Sequence, residues 1–365
     1  MRAPQARRRL TLPRPNWVTG AALLKAVRQG DRRALARAIT LVESSRSDDR
    51  EEAEKVIETL LPETGRAVRI GISGPPGAGK STFIVRFGLD GLALGRRIAV
   101  LAVDPASKRG GGAILGDKTR MAELARAPEA FIRPSSADDS RGGIARRTRD
   151  AILLCEAAGF GAVLVETIGV GQAETAVAEI VDMFVLILAP AAGDELQGIK
   201  RGIVELADLM LVNKADGELA AAAHRAAADY ASAMGLIRPR CSEWRVPVRA
   251  ISALEGIGIR EVWDDVARFR AALEQTGAWS RRRAEQARAA LWSEIGDSLL
   301  DHFRAAPGVA ERLAAIETEV AAGTRIPSAS ARELLGWFFH ETCVGSATPP
   351  NLRRGRSLTK HSPKE

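Results

Sequence analysis

Apolar positions along this chain change their period twice. From residue 17 to residue 62 they recur at helical spacing. Ala21, Leu24 and Val27 form one stripe, and Leu35, Ile39, Leu41 and Val42 continue it after a break at Gly30–Asp31. A third amphipathic stretch runs from Glu51 to Leu61, where Pro62 and Gly65 stop it. Short β-rich runs then follow at Val68–Ile72, Ile98–Val103, Ala130–Arg133, Ala162–Val165, Met183–Leu188, Leu209–Val212 and Val246–Ile251, with helical segments between them. Most of these runs are apolar throughout rather than alternating, the pattern of strands covered on both faces. Strands alternating with helices predict an α/β fold with a mainly parallel central sheet. From about Ala271 helical spacing returns, over 281–304 and 308–322, with a further short helix over 328–339 after Pro327.

Composition narrows the class without changing that picture. The 365 residues leave room for one large domain with additions or for two domains, and 46% hydrophobic with 27% charged residues is ordinary for a chain with a real core. The longest apolar run, Met183–Ala192, is about half the roughly 20 residues of a membrane span and contains Pro190, so no membrane partner is expected. Met1–Pro15 is Arg-rich but lacks the apolar segment of a secretory signal. A disordered leader of a cytoplasmic bacterial protein and an organelle transit remnant both suit it. Cys155, Cys241 and Cys343 have no paired spacing, which predicts neither a disulfide framework nor a zinc site. The net charge of +8 comes mainly from dispersed arginine and the aromatic content is only 4%, so no nucleic-acid partner is expected. The cluster Arg281–Arg283 is expected to face solvent, and Trp337, Phe338 and Phe339 to serve as core or as a contact between copies. His340-Glu341-Thr342-Cys343 reads as a helix end.

The chemistry lies in the β-rich region. Gly74-Pro75-Pro76-Gly77-Ala78-Gly79-Lys80-Ser81 fits G-x-x-x-x-G-K-[ST], between the run ending at Ile72 and a helical segment starting near Thr82. Glycines let backbone N–H groups curl around phosphate oxygens. Lys80 supplies a point charge to the β- and γ-phosphates, Ser81 a hydroxyl for Mg²⁺, and the helix N-terminus a positive dipole end. Asn213-Lys214-Ala215-Asp216 follows another buried strand. One carboxylate, Asp216, accepts guanine N1–H and its 2-amino group together, whereas adenine leaves that charge badly paired. Asn213 is expected at the N7/O6 edge and the Lys214 stem across the base, with Ser252-Ala253-Leu254 as the loop that closes over it. Asp104 and Glu166 each end an apolar run, where such sheets hold Mg²⁺ or its waters, and Gly169 is placed to offer its N–H to the γ-phosphate. Signalling GTPases carry glutamine directly after that glycine. Here Val170 follows and Gln172 comes later, which predicts slow intrinsic hydrolysis.

Several blocks go beyond a generic phosphate loop. Val103-Asp104-Pro105-Ala106-Ser107, Gly116-Asp117-Lys118-Thr119-Arg120-Met121, Val165–Glu174 and Gly193–Lys200 resemble the MeaB/ArgK family, GTPases associated with methylmalonyl-CoA mutase and related to the human MMAA protein. The resemblance runs from roughly Leu35 to Arg332. It implies a homodimeric GTPase with GTP as substrate, GDP as product and Mg²⁺ as cofactor, acting as a chaperone of an adenosylcobalamin-dependent acyl-CoA mutase. It also implies a P-loop NTPase core flanked by N- and C-terminal helical extensions. The parts would be a leader over 1–16, helices over 17–65, the GTPase domain over 66–270, a dimerisation region over 271–340 and a disordered tail over 341–365. By position, Asp104 and Asp117 would lie near Mg²⁺ in a first switch and Glu166 in a second. Residues 189–200 would form a third, where Gln197 and Lys200 turn toward Glu166 and the nucleotide. Ala191-Ala192-Gly193 is less glycine-rich than that loop usually is. A metallochaperone GTPase is the alternative, set back by four scattered histidines and three lone cysteines.

Overall fold

The seven apolar runs become seven strands of one sheet: β1 (Val68–Ser73), β2 (Ile98–Asp104), β3 (Ala130–Ser136), β4 (Ala162–Thr167), β5 (Met183–Leu188), β6 (Leu209–Val212) and β7 (Val248–Ala250). The computed structural model describes residues 20–44, 46–104, 121–136, 143–167, 173–190, 201–237 and 239–345. The strand order is β3-β2-β4-β1-β5-β6-β7, and every pairing is parallel. β3 extends past the expected Arg133 because its partner β2 stays in register as far as Asp104–Ser136. β7 is shorter than its apolar run; among the described residues it pairs with β6 alone, and it is only half-buried.

Period-two alternation divides most strand residues between two cores, while Leu186 and Leu188 of β5 and Met210 and Val212 of β6 belong to a third. Val68, Ile70 and Ile72 of β1, with Val100 of β2, Leu164 of β4 and Val185 of β5, share one cluster with Phe83, Ile84 and Phe87 of the helix Lys80–Ala93 and Trp263 and Phe269 of the helix Ile259–Gln275. Leu101 and Val103 of β2, with Val163 and Val165 of β4 and Phe184 of β5, face the other way. They meet Ile152 and Cys155 of the helix Gly143–Ala157 and Leu35 and Ile39 of the helix Arg32–Glu43. Both faces are therefore covered, which explains why the runs lack polar alternation. Of the N-terminal stripes, Val27, Leu35, Ile39 and Val42 are buried in this second core, Leu24 and Leu41 are half-buried, and Ala21 is exposed while Leu23 takes the buried place. Full burial of a side chain such as Leu35 contributes about 1.5–3 kcal/mol.

The Gly30–Asp31 break is a two-part punctuation. Gly30 takes a left-handed conformation (φ 74°) after the helix Ala21–Arg28, and Asp31 caps the next helix by accepting from Ala34 N at 2.7 Å. At the C-terminal side lie the helices Ala278–Ala305, Val309–Ala321 and Pro327–Gly345. The last of these runs on to Gly345, past the expected helix over 328–339. Phe338 is buried and packs edge-on against Phe303 at 5.1 Å between ring centroids, whereas Phe339 is exposed. The chain divides into two units, Met1–Leu291 and Trp292–Glu365. Among the described residues, no helix is long and apolar enough to cross a membrane.

The arginine cluster contradicts its sequence reading. Arg281 is exposed, but Arg282 donates to both carboxylate oxygens of Asp208 (3.2 and 2.8 Å) and Arg283 to both of Asp182 (2.8 and 2.7 Å). Both aspartates are buried and sit just before β6 and β5. Each also accepts a backbone N–H, from Phe184 to Asp208 and from Arg69 to Asp182. The two guanidinia are thus counter-ions of buried carboxylates, not solvated charge.

Candidate functional site

The carboxyl ends of β4, β1, β5 and β6 lie side by side where the strand order changes direction, the usual ligand crevice of an open parallel sheet. β1 delivers the glycine-rich segment. Gly74 has φ 150°, and a Cβ there would stand 2.0 Å from the Ile187 carbonyl oxygen of β5, so no side chain fits. Gly77 and Gly79 take φ 80° and 88°, and Gly79 caps the helix Lys80–Ala93 in the left-handed region. The first bond of that helix runs from Phe83 N to Gly79 O at 2.9 Å. The N–H groups of Lys80, Ser81 and Thr82 consequently have no acceptor within the helix, a ready site for an anion. Pro76 and Gly77 are exposed at the tip, Pro75 is half-buried, and Ala78 is buried beneath.

Lys80 Nζ donates to the carbonyl oxygens of Gly74 (2.8 Å) and Pro75 (3.2 Å), holding the ammonium inside the loop. Burial lowers its pKa, while the carboxylates of Glu166 and Glu174 act in the opposite sense. Ser81 Oγ donates to Glu166 Oε1 at 3.1 Å, so the end of β4 meets the first helical turn. Glu166 is itself buried.

The second half of the site is built on β6 and β7. Asn213 is buried and uses both ends of its amide on the protein: Nδ2 donates to Ala78 O at 2.8 Å, and Oδ1 accepts from Ala253 N at 2.9 Å. Sequence reasoning had offered this side chain to the guanine edge. Here it also ties the phosphate loop to the closing loop. Lys214 has φ 65°, the one positive value at a non-glycine residue among the described residues. Such strain gathers at functional sites. Ser252 Oγ donates to Asp216 Oδ2 and accepts from Glu255 N at 3.1 Å, which fixes the carboxylate. Leu254 is exposed, and its carbonyl accepts from Arg86 at 3.2 Å.

The structure therefore brings together Gly74–Thr82, Glu166, Asn213, Lys214, Asp216 and Ser252–Leu254. Asp104 ends β2 as expected, but its side chain lies outside the described residues, as do Asp117, Gly169, Gln197 and Lys200. Sequence reasoning missed Arg86, the buried Glu174, and the buried pair Ser73 and Thr167, whose hydroxyls meet at 2.9 Å. Glu174 and Thr167 stood in a recognised block, and the acidity of Glu174 within an apolar helical start was a further signal. Arg86 and Ser73 carried none.

Comparison with known proteins agrees with this geometry. A family model described as methylmalonyl Co-A mutase-associated GTPase MeaB matches residues 35–308. A putative GTPase of Caulobacter vibrioides is 52% identical over 309 residues, 85% of this chain and 94% of that protein. The mitochondrial methylmalonic aciduria type A homolog of Mus musculus is 46% identical over 85% of this chain and 77% of its own length. A crystal structure of a protein named LAO/AO transport system kinase superimposes with a TM-score of 0.70 at 36% identity, covering 87% of this chain and 97% of that one.

Proposed function

Because the chain belongs to the family of methylmalonyl-CoA mutase-associated GTPases, we propose that it is a G-protein chaperone of an adenosylcobalamin-dependent acyl-CoA mutase. In this reading it gates loading of the mutase cofactor and protects the enzyme, using GTP hydrolysis to change state. The observation that carries the nucleotide half is the Asn213 amide, bonded at once to the phosphate loop and to the loop beside Asp216. Phosphate cradle and guanine-reading carboxylate are thereby held in one rigid unit.

Lys80 and the free N–H groups of the first helical turn stabilise charge on the transferred phosphoryl group. Ser81 Oγ and the Glu166 carboxylate, 3.1 Å apart, are hard oxygen donors and fit Mg²⁺. Ser81, Glu166, Asp104 and Asp117 are the residues that would hold it, and the ion would neutralise phosphate charge. Lys200, with Gln197, would complete the hydrolytic arrangement from the third switch when the mutase binds. Since no glutamine directly follows Gly169, basal turnover is slow.

A homodimer suits the second unit. Its helices leave an apolar cavity of about 650 Å³ lined by Leu299, Phe303, Ile316, Leu334, Phe338 and Phe339, and Leu299 and Phe339 are exposed. We place the protein in the cytoplasm, while the Mus musculus relative is named as mitochondrial.

The test is GTP hydrolysis, with ATP as control, with and without an adenosylcobalamin-dependent acyl-CoA mutase from the same source. GTP-selective turnover that rises with the mutase and disappears in Lys80→Ala is the expected result. Turnover indifferent to the mutase refutes the chaperone role, and turnover surviving in Lys80→Ala refutes the site.

A further inference from the structure

The ladder between β1 and β4 stops one rung short of the strand ends. Its last register pair is Ile72 with Glu166. Ser73 is still paired to Leu186 on the far side of β1, and Thr167 to Val103 on the far side of β4. The two strands thus share no ladder rung at Ser73 and Thr167, while each stays paired with its outer neighbour. What spans the gap is a side-chain bond: Thr167 Oγ1 donates to Ser73 Oγ at 2.9 Å, with the Ile72 carbonyl oxygen a longer acceptor at 3.4 Å. Both residues are fully buried, at 0% and 1% exposure. The bond is shielded from water and has no solvent competitor, and a buried hydroxyl left without its partner is costly.

Its position gives it a use. Ser73 directly precedes Gly74, whose carbonyl oxygen accepts from Lys80. Thr167 directly follows Glu166, whose carboxylate accepts from Ser81. Gly71, two residues before Ser73 and on the same face of β1, is packed so closely that an added Cβ would stand 3.0 Å from Val177 and Val181. The support behind the pair is therefore tightly packed, and the hydroxyl bond bridges the start of the phosphate loop and the end of β4 that carries Glu166.

We propose that Thr167, acting through Ser73, is a positioning residue for GTP hydrolysis: its hydroxyl sets the spacing between the phosphate loop and Glu166. This rests on the GTPase reading above. A spacer between the phosphate loop and the strand end that carries Glu166 acts on turnover more than on ground-state binding, since small misplacements in the reacting geometry are expensive.

The experiment compares Thr167→Val, Thr167→Ser, Ser73→Ala and the Thr167→Val/Ser73→Ala double variant in the full-length protein. Steady-state GTP hydrolysis at saturating Mg²⁺ and GDP affinity by calorimetry are measured for each. Thr167→Val should lower kcat by about tenfold or more while GDP affinity stays within about threefold of wild type. Thr167→Ser should restore turnover, Ser73→Ala should repeat the loss, and the double variant should be no worse than either single one. Turnover of Thr167→Val within about twofold of wild type overturns the proposal. So does equal impairment of Thr167→Ser, which would assign the effect to the methyl group, or a matched fall in kcat and GDP affinity. If Thr167→Val does not fold, Ser73→Ala against Thr167→Ser carries the same contrast. Wild-type hydrolysis no faster than that of Lys80→Ala would overturn the GTPase reading and this inference with it. Wild-type hydrolysis above that of Lys80→Ala, with Thr167→Val unaffected, overturns the inference alone.

Discussion

Replacing Arg283 with methionine tests the buried arginine latch directly. Methionine keeps an apolar stem of similar length but removes the fork that holds Asp182. In the wild type that fork donates to both Asp182 oxygens at 2.8 and 2.7 Å, and also to the Gly65 and Ala67 carbonyl oxygens at 2.6 and 2.7 Å. Arg283→Met leaves Asp182, only 1% exposed, with the Arg69 N–H as its remaining bond described above, and strips two carbonyls of this partner. Removing one member of a buried pair typically costs about 3–5 kcal/mol. The Arg283 side chain is 17% exposed and water can replace part of the loss, so we take the lower end, about 3 kcal/mol. For the unit Met1–Leu291, at about 2.1 cal/mol/K of unfolding entropy per residue, that corresponds to a fall in melting temperature of about 5 °C. The assay is urea and thermal unfolding followed by circular dichroism, at low salt and at high salt. Arg281→Met is the control, because Arg281 is 59% exposed, and it should leave the transition where it was. The Arg283 effect should persist in high salt, since a buried pair is poorly screened. Asp182→Asn combined with Arg283→Met should cost less than the sum of the two single changes, because each exposes the same unpaired partner. Equal behaviour of Arg283→Met and Arg281→Met, or strict additivity in the double variant, would refute the latch.

Two further outcomes follow from the site. Burial lowers the pKa of Lys80 below its ordinary 10.5, so its charge is lost at a lower pH than that of a solvated lysine. Nucleotide affinity, measured by fluorescence titration, should therefore weaken before the pH reaches 10.5, and the nucleotide-free fold should gain stability from this group as pH rises through the lowered pKa. An affinity that stays constant up to pH 10.5 would contradict this. Asp216→Asn replaces an acceptor pair with one acceptor and one donor, which suits the 2-oxo group of xanthine. GTP affinity should fall by about a hundredfold or more while xanthosine nucleotides gain, and unchanged GTP affinity in calorimetry would count against the base assignment.

Much of this molecule is decided by short stretches of sequence. A glycine that must adopt φ 80° or 88° is needed wherever the loop forms, so the run Gly74–Ser81 carries its own geometry. A carboxylate at the end of an apolar run, as at Glu166, and the Asn213–Asp216 block after β6 are equally local. Continuous apolar runs foretold strands covered on both faces, and the helical stripes foretold the layers that cover them. Strand order, by contrast, is a long-range matter, and so are the bonds it creates. Arg282 and Asp208 are 74 residues apart, Arg283 and Asp182 are 101 apart, Thr167 and Ser73 are 94 apart, and Asn213 reaches a carbonyl 135 residues away. An arginine on a helix reads the same in sequence whether it meets solvent or a buried aspartate, and a serine next to a glycine reads as turn chemistry. The sheet settled these cases by placing β1 between β4 and β5. That brings the beginnings of β5 and β6 under the first turns of the long C-terminal helix and the ends of β1 and β4 within reach of one hydroxyl bond. Local patterning determined the elements and the nucleotide chemistry; burial in the folded sheet decided which polar side chains had to find each other, because a buried charge or hydroxyl is tolerated only with a partner.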